Sequence, residues 1–249
     1  MNFWLQRGID GWRLDAAYSV PAWFWAKVIP PLRERFPDSW YLGEVIHGDY
    51  VAFVEESTVD SVTQYELWKA IWSALLDGNF FELDWSLKRH NEFLDHFIPN
   101  TFVGNHDVTR ISSTLGADRA VIALMILMTV GGIPSIYYGD EQGFTGIKEE
   151  NFSGDDAIRP RMPDTPADLL PFGKTTYACH RDLIGFRRRH PWLATGRTTP
   201  VLVENTRYVY RSTALDGQRF VEVSLDLEPG GSCVIKNEGG EVLWGKPSL

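Results

Sequence analysis

The sequence predicts an α/β protein in which parallel strands joined by helices are followed by a small antiparallel β segment. Three observations carry this. Short apolar runs alternate with amphipathic stretches as far as residue 189. Several of those runs end in a carboxylate. After Trp192 the texture turns to closely spaced β-like runs separated by turn residues. Alternating strands and helices indicate parallel βαβ units, whereas short runs with Gly and Asn turns indicate antiparallel pairing.

In chain order, Gly11-Trp12-Arg13-Leu14-Asp15 reads as a strand ending in a carboxylate. Residues 21–36 read as a helix, with Trp25, Val28, Ile29, Leu32 and Phe36 at helical spacing. Trp40-Tyr41-Leu42-Gly43-Glu44-Val45 is a second strand, residues 59–64 a third, and residues 65–76 a helix. Residues 101–105 form a fourth strand with its helix at 117–130, and 134–138 a fifth, with a closing helix at 177–189. Beyond it, runs at 201–203, 208–210, 220–223 and 233–235 are separated by Asn205-Thr206, Asp216-Gly217 and Gly230-Gly231. The chain therefore divides into residues 1–195 and a small all-β domain at 196–249.

Asp15, Glu44, Asp107 and Asp140 fall at strand ends, with separations of 29, 63 and 33 residues that correspond to one, two and one βαβ units. Parallel strands aim such ends at one face, where α/β proteins place their sites. Each residue alone has a plainer reading. Asp15 could cap the next helix, Arg13 could form a buried ion pair, and Glu44 could be a solvated loop carboxylate. His106-Asp107 could be a structural pair or half of a metal site, although no HxxxH spacing accompanies it.

Composition excludes several classes. A net charge of -9, from 24 basic and 33 acidic residues, argues against a nucleic-acid partner. Cys179 and Cys233 belong to no CxxC pair, so neither a disulfide framework nor a zinc site is expected. The longest apolar run, 120–130, is short for a bilayer span, and no basic-then-apolar leader opens the sequence, so the expectation is a cytoplasmic chain with no membrane partner.

GIDGWRLD at 8–15, LGEV at 42–45, FVGNHD at 102–107 and GIPSIYYGDE at 132–141 together resemble, in order and spacing, four motifs of the α-amylase family of glycoside hydrolases. The Trp before Arg13 is similar to the neopullulanase and maltogenic group. The resemblance covers about residues 4 to 190 and implies a partial (β/α)8 TIM barrel, strands four to eight. It casts Asp15 as nucleophile, Glu44 as general acid/base and Asp107 as transition-state stabiliser. Arg13 matches the arginine beside the nucleophile, and His106 the histidine that binds substrate hydroxyls. Chemistry agrees with the casting. Retaining hydrolysis needs an ionised attacking carboxylate and a protonated carboxyl about 5 Å apart. Arg13 and Asp15, two apart on a strand, share a face. Apolar neighbours and nearby carboxylates around Glu44 would suit an acid.

Tyr137, Tyr138 and Asp140 are expected to shape the barrel. The loop at 155–159 resembles a segment of the family's active-site rim, though a solvated acidic turn explains it nearly as well. Trp12, Trp25, Trp68 and Trp72 fit packing positions. Tyr18-Ser19 stand where starch-degrading members often carry Lys-His. The first three strands have no counterpart here, and residues 2–7 look like the tail of the helix before strand four. The expected function is retaining hydrolysis of α-glucosidic bonds in maltooligosaccharides or related α-glucans. The alternatives are a transglycosylase of the same family and a non-catalytic half-barrel. An oligosaccharide is the expected partner, and a half-barrel is expected to self-associate or to need an N-terminal half. No cofactor and no metal ligand are expected; the calcium of many members draws on the segment without a counterpart here.

Overall fold

The computed structural model describes residues 1–165 and 173–246. After a short helix α1 (Asn2–Leu5), strands β1 (Gly11–Leu14), β2 (Trp40–Gly43) and β3 (Ser61–Val62) form a parallel sheet in chain order. A parallel bridge from Thr63 to Asn100 leads to β4 (Asn100–Thr101), which pairs in parallel with β5 (Ile133–Pro134). Helices α2 (Ala22–Arg35), α3 (Tyr50–Ser57), α4 (Tyr65–Asp77), α5 (Phe81–Leu94), α6 (Ile111–Thr129) and α7 (Lys174–Arg189) connect and cover these strands.

Register matters most at the first pair. Leu14 lies opposite Gly43, so Asp15 and Glu44 leave the sheet at the same level. Gly11 has no alternative side chain, because a Cβ there would lie 2.1 Å from the Trp40 carbonyl oxygen. One face of this pair packs on α2 and α3 through Leu14, Trp25, Ile29, Tyr41 and Tyr50.

Several elements differ from the sequence reading. The strands expected at 101–105 and 134–138 shrink to two residues each, because side chains take over the backbone groups beyond them. Asn105 Oδ1 accepts the Asp107 N–H at 2.9 Å, and Arg110 binds the Tyr138 carbonyl. Helices α3 and α5 were not foreseen, although Leu83, Leu87, His90 and Leu94 bury one helical face of α5. Helix α6 starts at Ile111 rather than 117, with a break at Gly116 (φ 75°). At 19 residues it is long and apolar enough to cross a bilayer, unlike the shorter run read from the sequence. Residues 120–129 are instead all buried in the protein core.

Strands β6 (Arg197–Val203), β7 (Arg207–Thr213), β8 (Phe220–Asp226), β9 (Cys233–Asn237) and β10 (Val242–Lys246) form one antiparallel meander. The last was not foreseen, because its apolar residues Leu243 and Trp244 do not alternate. Its neighbours do: Tyr208 and Tyr210, then Val221, Val223 and Leu225, turn one face inward. That face joins α4, α5 and α6 in a single core. Each such large apolar side chain contributes about 1.5–3 kcal/mol on burial. The buried hydroxyls are matched as well, Tyr208 donating to Asp84 of α5 at 3.1 Å and Tyr210 pairing with Thr129 of α6 at 2.6 Å.

Two buried bases tie helix ends to this core. Arg187 donates to the carbonyls of Met128, Val130 and Gly132 at the end of α6, and burial lowers its pKa to about 10. Gln64 caps α4, its Oε1 accepting the N–H groups of Glu66 and Leu67. Its Nε2 must therefore be the donor toward His90 Nδ1 at 3.3 Å, which leaves His90 Nε2 to donate to the Gly131 carbonyl at 3.0 Å. His90 is thus held neutral, and burial lowers its pKa to about 4.

A folded value below the unfolded one means that His90 contributes its full stability above about pH 6.5 and loses it as the pH falls toward 4. Urea unfolding at pH 7 and pH 4 is expected to differ by up to about 3 kcal/mol on this account. His90→Gln is expected to flatten that part of the pH dependence while lowering stability at pH 7.

Candidate active site

Beyond β1 and β2 the chain brings Asp15 and Glu44 together around one guanidinium. Arg13 Nη1 pairs with Asp15, and Arg13 Nη2 lies 2.7 Å from Glu44 Oε1. The two carboxylates differ in setting, with side chains 80% exposed for Asp15 and 6% for Glu44. Ala16, in the left-handed region at φ 41°, donates its N–H to Glu44 Oε2 at 2.8 Å. A non-glycine residue held there stores backbone strain of about 1–3 kcal/mol, a cost often found at functional sites. The Tyr65 hydroxyl adds a third contact to Glu44 at 3.3 Å. Asp15 and apolar residues such as Leu42 and Phe102 do lie near Glu44, as expected, but the polar donors on its oxygens were not foreseen. Strand register and the turn at Ala16 aim these donors inward, which the local sequence alone could not reveal.

The loop after β4 carries the third carboxylate. His106 Nε2 lies 3.2 Å from Asp107 Oδ2, and Arg159 Nη2 lies 2.8 Å from Asp107 Oδ1. Arg159 also pairs with Asp155 at 2.7 Å and donates to the His106 carbonyl at 2.8 Å. The loop at 155–159 therefore meets the site; it is more than a solvated acidic turn. Arg110 fixes its approach, donating to the Ile158 carbonyl at 3.0 Å, one residue before Arg159.

Asp15, Glu44, His106, Asp107 and Arg159 line one cavity of about 670 Å³, together with Tyr65, Trp68 and Lys148. Arg13 sits just below, lining a space of about 430 Å³ with Glu44, His106 and the inner face of the strands. An adjoining apolar cavity of about 440 Å³ runs past Asp107 between Trp68, Trp72, Val103 and Ile111. All five residues singled out by sequence are thus brought together. Asp140 is not with them. It is buried, 3.0 Å from Arg110, and burial raises its pKa to about 6 against the pull of that cation. Trp68 and Trp72 wall cavities as well as pack, which helical spacing could not distinguish from packing alone. Tyr65 was also missed, its closeness to a strand end being the available signal, whereas Arg159 lay in the loop flagged for its resemblance to the rim but was given no role of its own. Among the described residues, no group of three or more His, Cys, Asp or Glu could hold a metal ion.

The family described as alpha amylase, catalytic domain, matches residues 1–204. The chain belongs to the α-amylase family. Among its relatives within that family, the maltogenic α-amylase of Bacillus acidopullulyticus is 34% identical over 158 residues, 58% of this chain and 26% of that protein. A cyclomaltodextrin glucanotransferase of Bacillus licheniformis is 30% identical over 224 residues, 84% of this chain and 29% of that protein. Neopullulanase 2 of Thermoactinomyces vulgaris is 28% identical across 96% of this chain and 39% of its own length. The chain thus spans only about a third of these curated relatives. Among solved structures, the cyclic α-maltosyl-(1→6)-maltose hydrolase of Arthrobacter globiformis superposes with a TM-score of 0.78 at 22% identity, covering 92% of this chain and 51% of that one. The α-amylase of H. orenii gives 0.76 at 24% identity, covering 91% and 52%. These likenesses establish the shared fold of α-amylase family enzymes.

Removing the shared cation tests the arrangement of this family member's site. Arg13→Met leaves Glu44 buried beside Asp15 without a counter-charge. Breaking a fully buried pair costs about 3–5 kcal/mol; with Asp15 exposed, a loss on the order of 2 kcal/mol is expected at pH 7. Arg13→Lys, which keeps a positive charge at this position, should recover part of that loss in urea unfolding. Equal deficits in Arg13→Met and Arg13→Lys would mean that Arg13 does not serve to offset these charges.

Proposed function

We propose that this site carries out retaining hydrolysis of α-glucosidic bonds in maltooligosaccharides or related α-glucans. Asp15 acts as nucleophile, Glu44 as general acid/base and Asp107 as stabiliser of the charged transition state, while Arg13 and His106 bind and orient. The observation that carries the reading is the pair of carboxylates on one guanidinium. One guanidinium between them makes the two carboxylates neighbours, and retaining chemistry needs such a pair, about 5 Å apart. Exposure suits the parts. Asp15 is open to a sugar carbon, whereas Glu44 is anchored so that its proton meets one oxygen. Asp107 stands across the same cavity, where negative charge favours an oxocarbenium-like centre.

The chain spans about a third of its curated relatives, so turnover is proposed for these residues together with strands that pair the free edges of β1 and β5. Those edges, left open, favour association of the chain with itself. Transfer to a sugar acceptor is a second reading, favoured by the 30% identity to a glucanotransferase. Water and acceptor compete for the same glycosyl-enzyme, and product analysis with and without added maltose separates the two.

Trapping with a fluorinated glycosyl fluoride, followed by peptide mapping, is expected to place the sugar on Asp15. A label on Glu44 or Asp107 would overturn the assignment. Glu44→Gln is expected to lower turnover of maltotriose by at least ~100-fold while sparing the first step with a glycosyl fluoride, whose leaving group needs no proton. Equal losses on both substrates would remove Glu44 from acid catalysis.

A further inference from the structure

Glu44 is held by an ion pair and by hydrogen bonds from two fixed donors. Arg13 Nη2 lies 2.7 Å and Tyr65 Oη 3.3 Å from Oε1, while the Ala16 N–H reaches Oε2 at 2.8 Å. A carboxylate offers about four lone-pair directions, two on each oxygen. Oε1 is engaged by the Arg13 cation and the Tyr65 hydroxyl, whereas Oε2 accepts only the Ala16 N–H and keeps a direction open.

The direction of the Tyr65 bond follows from its neighbours. The Asp107 N–H donates to Asn105 Oδ1 at 2.9 Å, which settles which end of that amide is oxygen. Asn105 Nδ2 then donates to Tyr65 Oη at 2.9 Å. With its oxygen accepting there, the phenol turns its own proton toward Glu44. Burial, and next the charge of Glu44, push the Tyr65 phenol well above its ordinary range, so the proton stays on tyrosine. Edge contacts with Phe102 and Trp68, at 4.9 and 5.8 Å between ring centres, hold the ring in place.

We propose that Tyr65 is a positioning residue for proton transfer: together with the Arg13 cation it occupies Oε1 of Glu44 and leaves Oε2 as the oxygen that gives and takes the proton. This rests on the reading of Glu44 as acid/base. In the first half-reaction the Oε2–H bond breaks and the proton goes to the departing glycosidic oxygen, as Asp15 bonds to the anomeric carbon. In the second, water loses a proton to Oε2, its oxygen bonds to that carbon, and the bond to Asp15 breaks. Asn105 sets the direction of the phenol and so couples the Asp107 segment to Glu44.

Tyr65→Phe removes the donor and keeps the ring. The test follows the Glu44 carboxyl carbon by NMR in the chain labelled with ¹³C at glutamate side-chain carboxyls, the resonance being assigned by its disappearance in Glu44→Gln. Losing one hydrogen bond to the charged form is expected to raise the titration midpoint above that of the parent. Tyr210→Phe, which deletes a buried hydroxyl bonded to Thr129, is expected to leave it unmoved. An unchanged midpoint in Tyr65→Phe, with the other carboxyl resonances in place, overturns the proposal. This readout needs no turnover, so it is separable from the leaving-group comparison on Glu44→Gln. If that comparison fails, the acid/base reading falls and the proposal with it. If it holds while Tyr65→Phe moves nothing, only the positioning role falls.

Discussion

Negative charge crowded into one cavity is the constraint around which this structure is arranged. Asp15, Glu44 and Asp107 face a common space in a chain that already carries a net charge of -9. Carboxylates at short range oppose one another's ionisation unless cations stand between them. Two arginines do so. Arg13 divides its guanidinium between Asp15 and Glu44, and Arg159 covers Asp107 while pairing with Asp155. Both depend on backbone placement that a long flexible side chain could not achieve alone.

That placement is made at several distances. The Leu14–Gly43 register sets Asp15 level with Glu44, and the strained Ala16 turns its N–H onto the second carboxylate oxygen. Farther out, Arg110 is almost fully buried, stacks 3.9 Å above the Tyr137 ring, and binds the carbonyl preceding Arg159. His90 and Gln64 fix the start of α4, and hence Tyr65, through a hydrogen-bond chain whose every direction is determined. The antiparallel sheet contributes from the far side, because its inward tyrosines complete the core against which α5 and α6 are seated.

How much of this was legible in the sequence depends on the range of the interaction. Asp15, Glu44 and Asp107 could be found because strand ends recur in step with the βαβ spacing and lie in motifs that resemble those of one family. Arg13 could be found because it stands in the first of these motifs, two residues from Asp15 and on its face. Asp140 satisfied the same strand-end pattern yet lies in a buried pair with Arg110, for the pattern does not encode depth. Tyr65, Trp68 and Arg159 reach the site from other segments, 21 residues or more from the carboxylates they touch or flank, and each resembles an ordinary packing or surface residue locally. The short strands β4 and β5 were overestimated for a related reason. Their apolar runs continue, but Asn105 and Arg110 capture the backbone groups that a ladder would use.

The contrast between Asp15 and Glu44 shows how one cation can support two different tasks. Both touch Arg13, so their charges are offset by a common partner. Asp15 has no other hydrogen bond among those described and is open to solvent; its oxygens can reach a new partner with little to displace. Glu44 is sunk and restrained on both oxygens, so movement would cost several bonds at once. A group that must form and release a covalent bond benefits from accessibility. A group that must pass a proton back and forth over a fixed short distance benefits from immobility, since proton transfer depends steeply on alignment. The division of exposure between two neighbouring carboxylates thus follows the division of labour proposed for them.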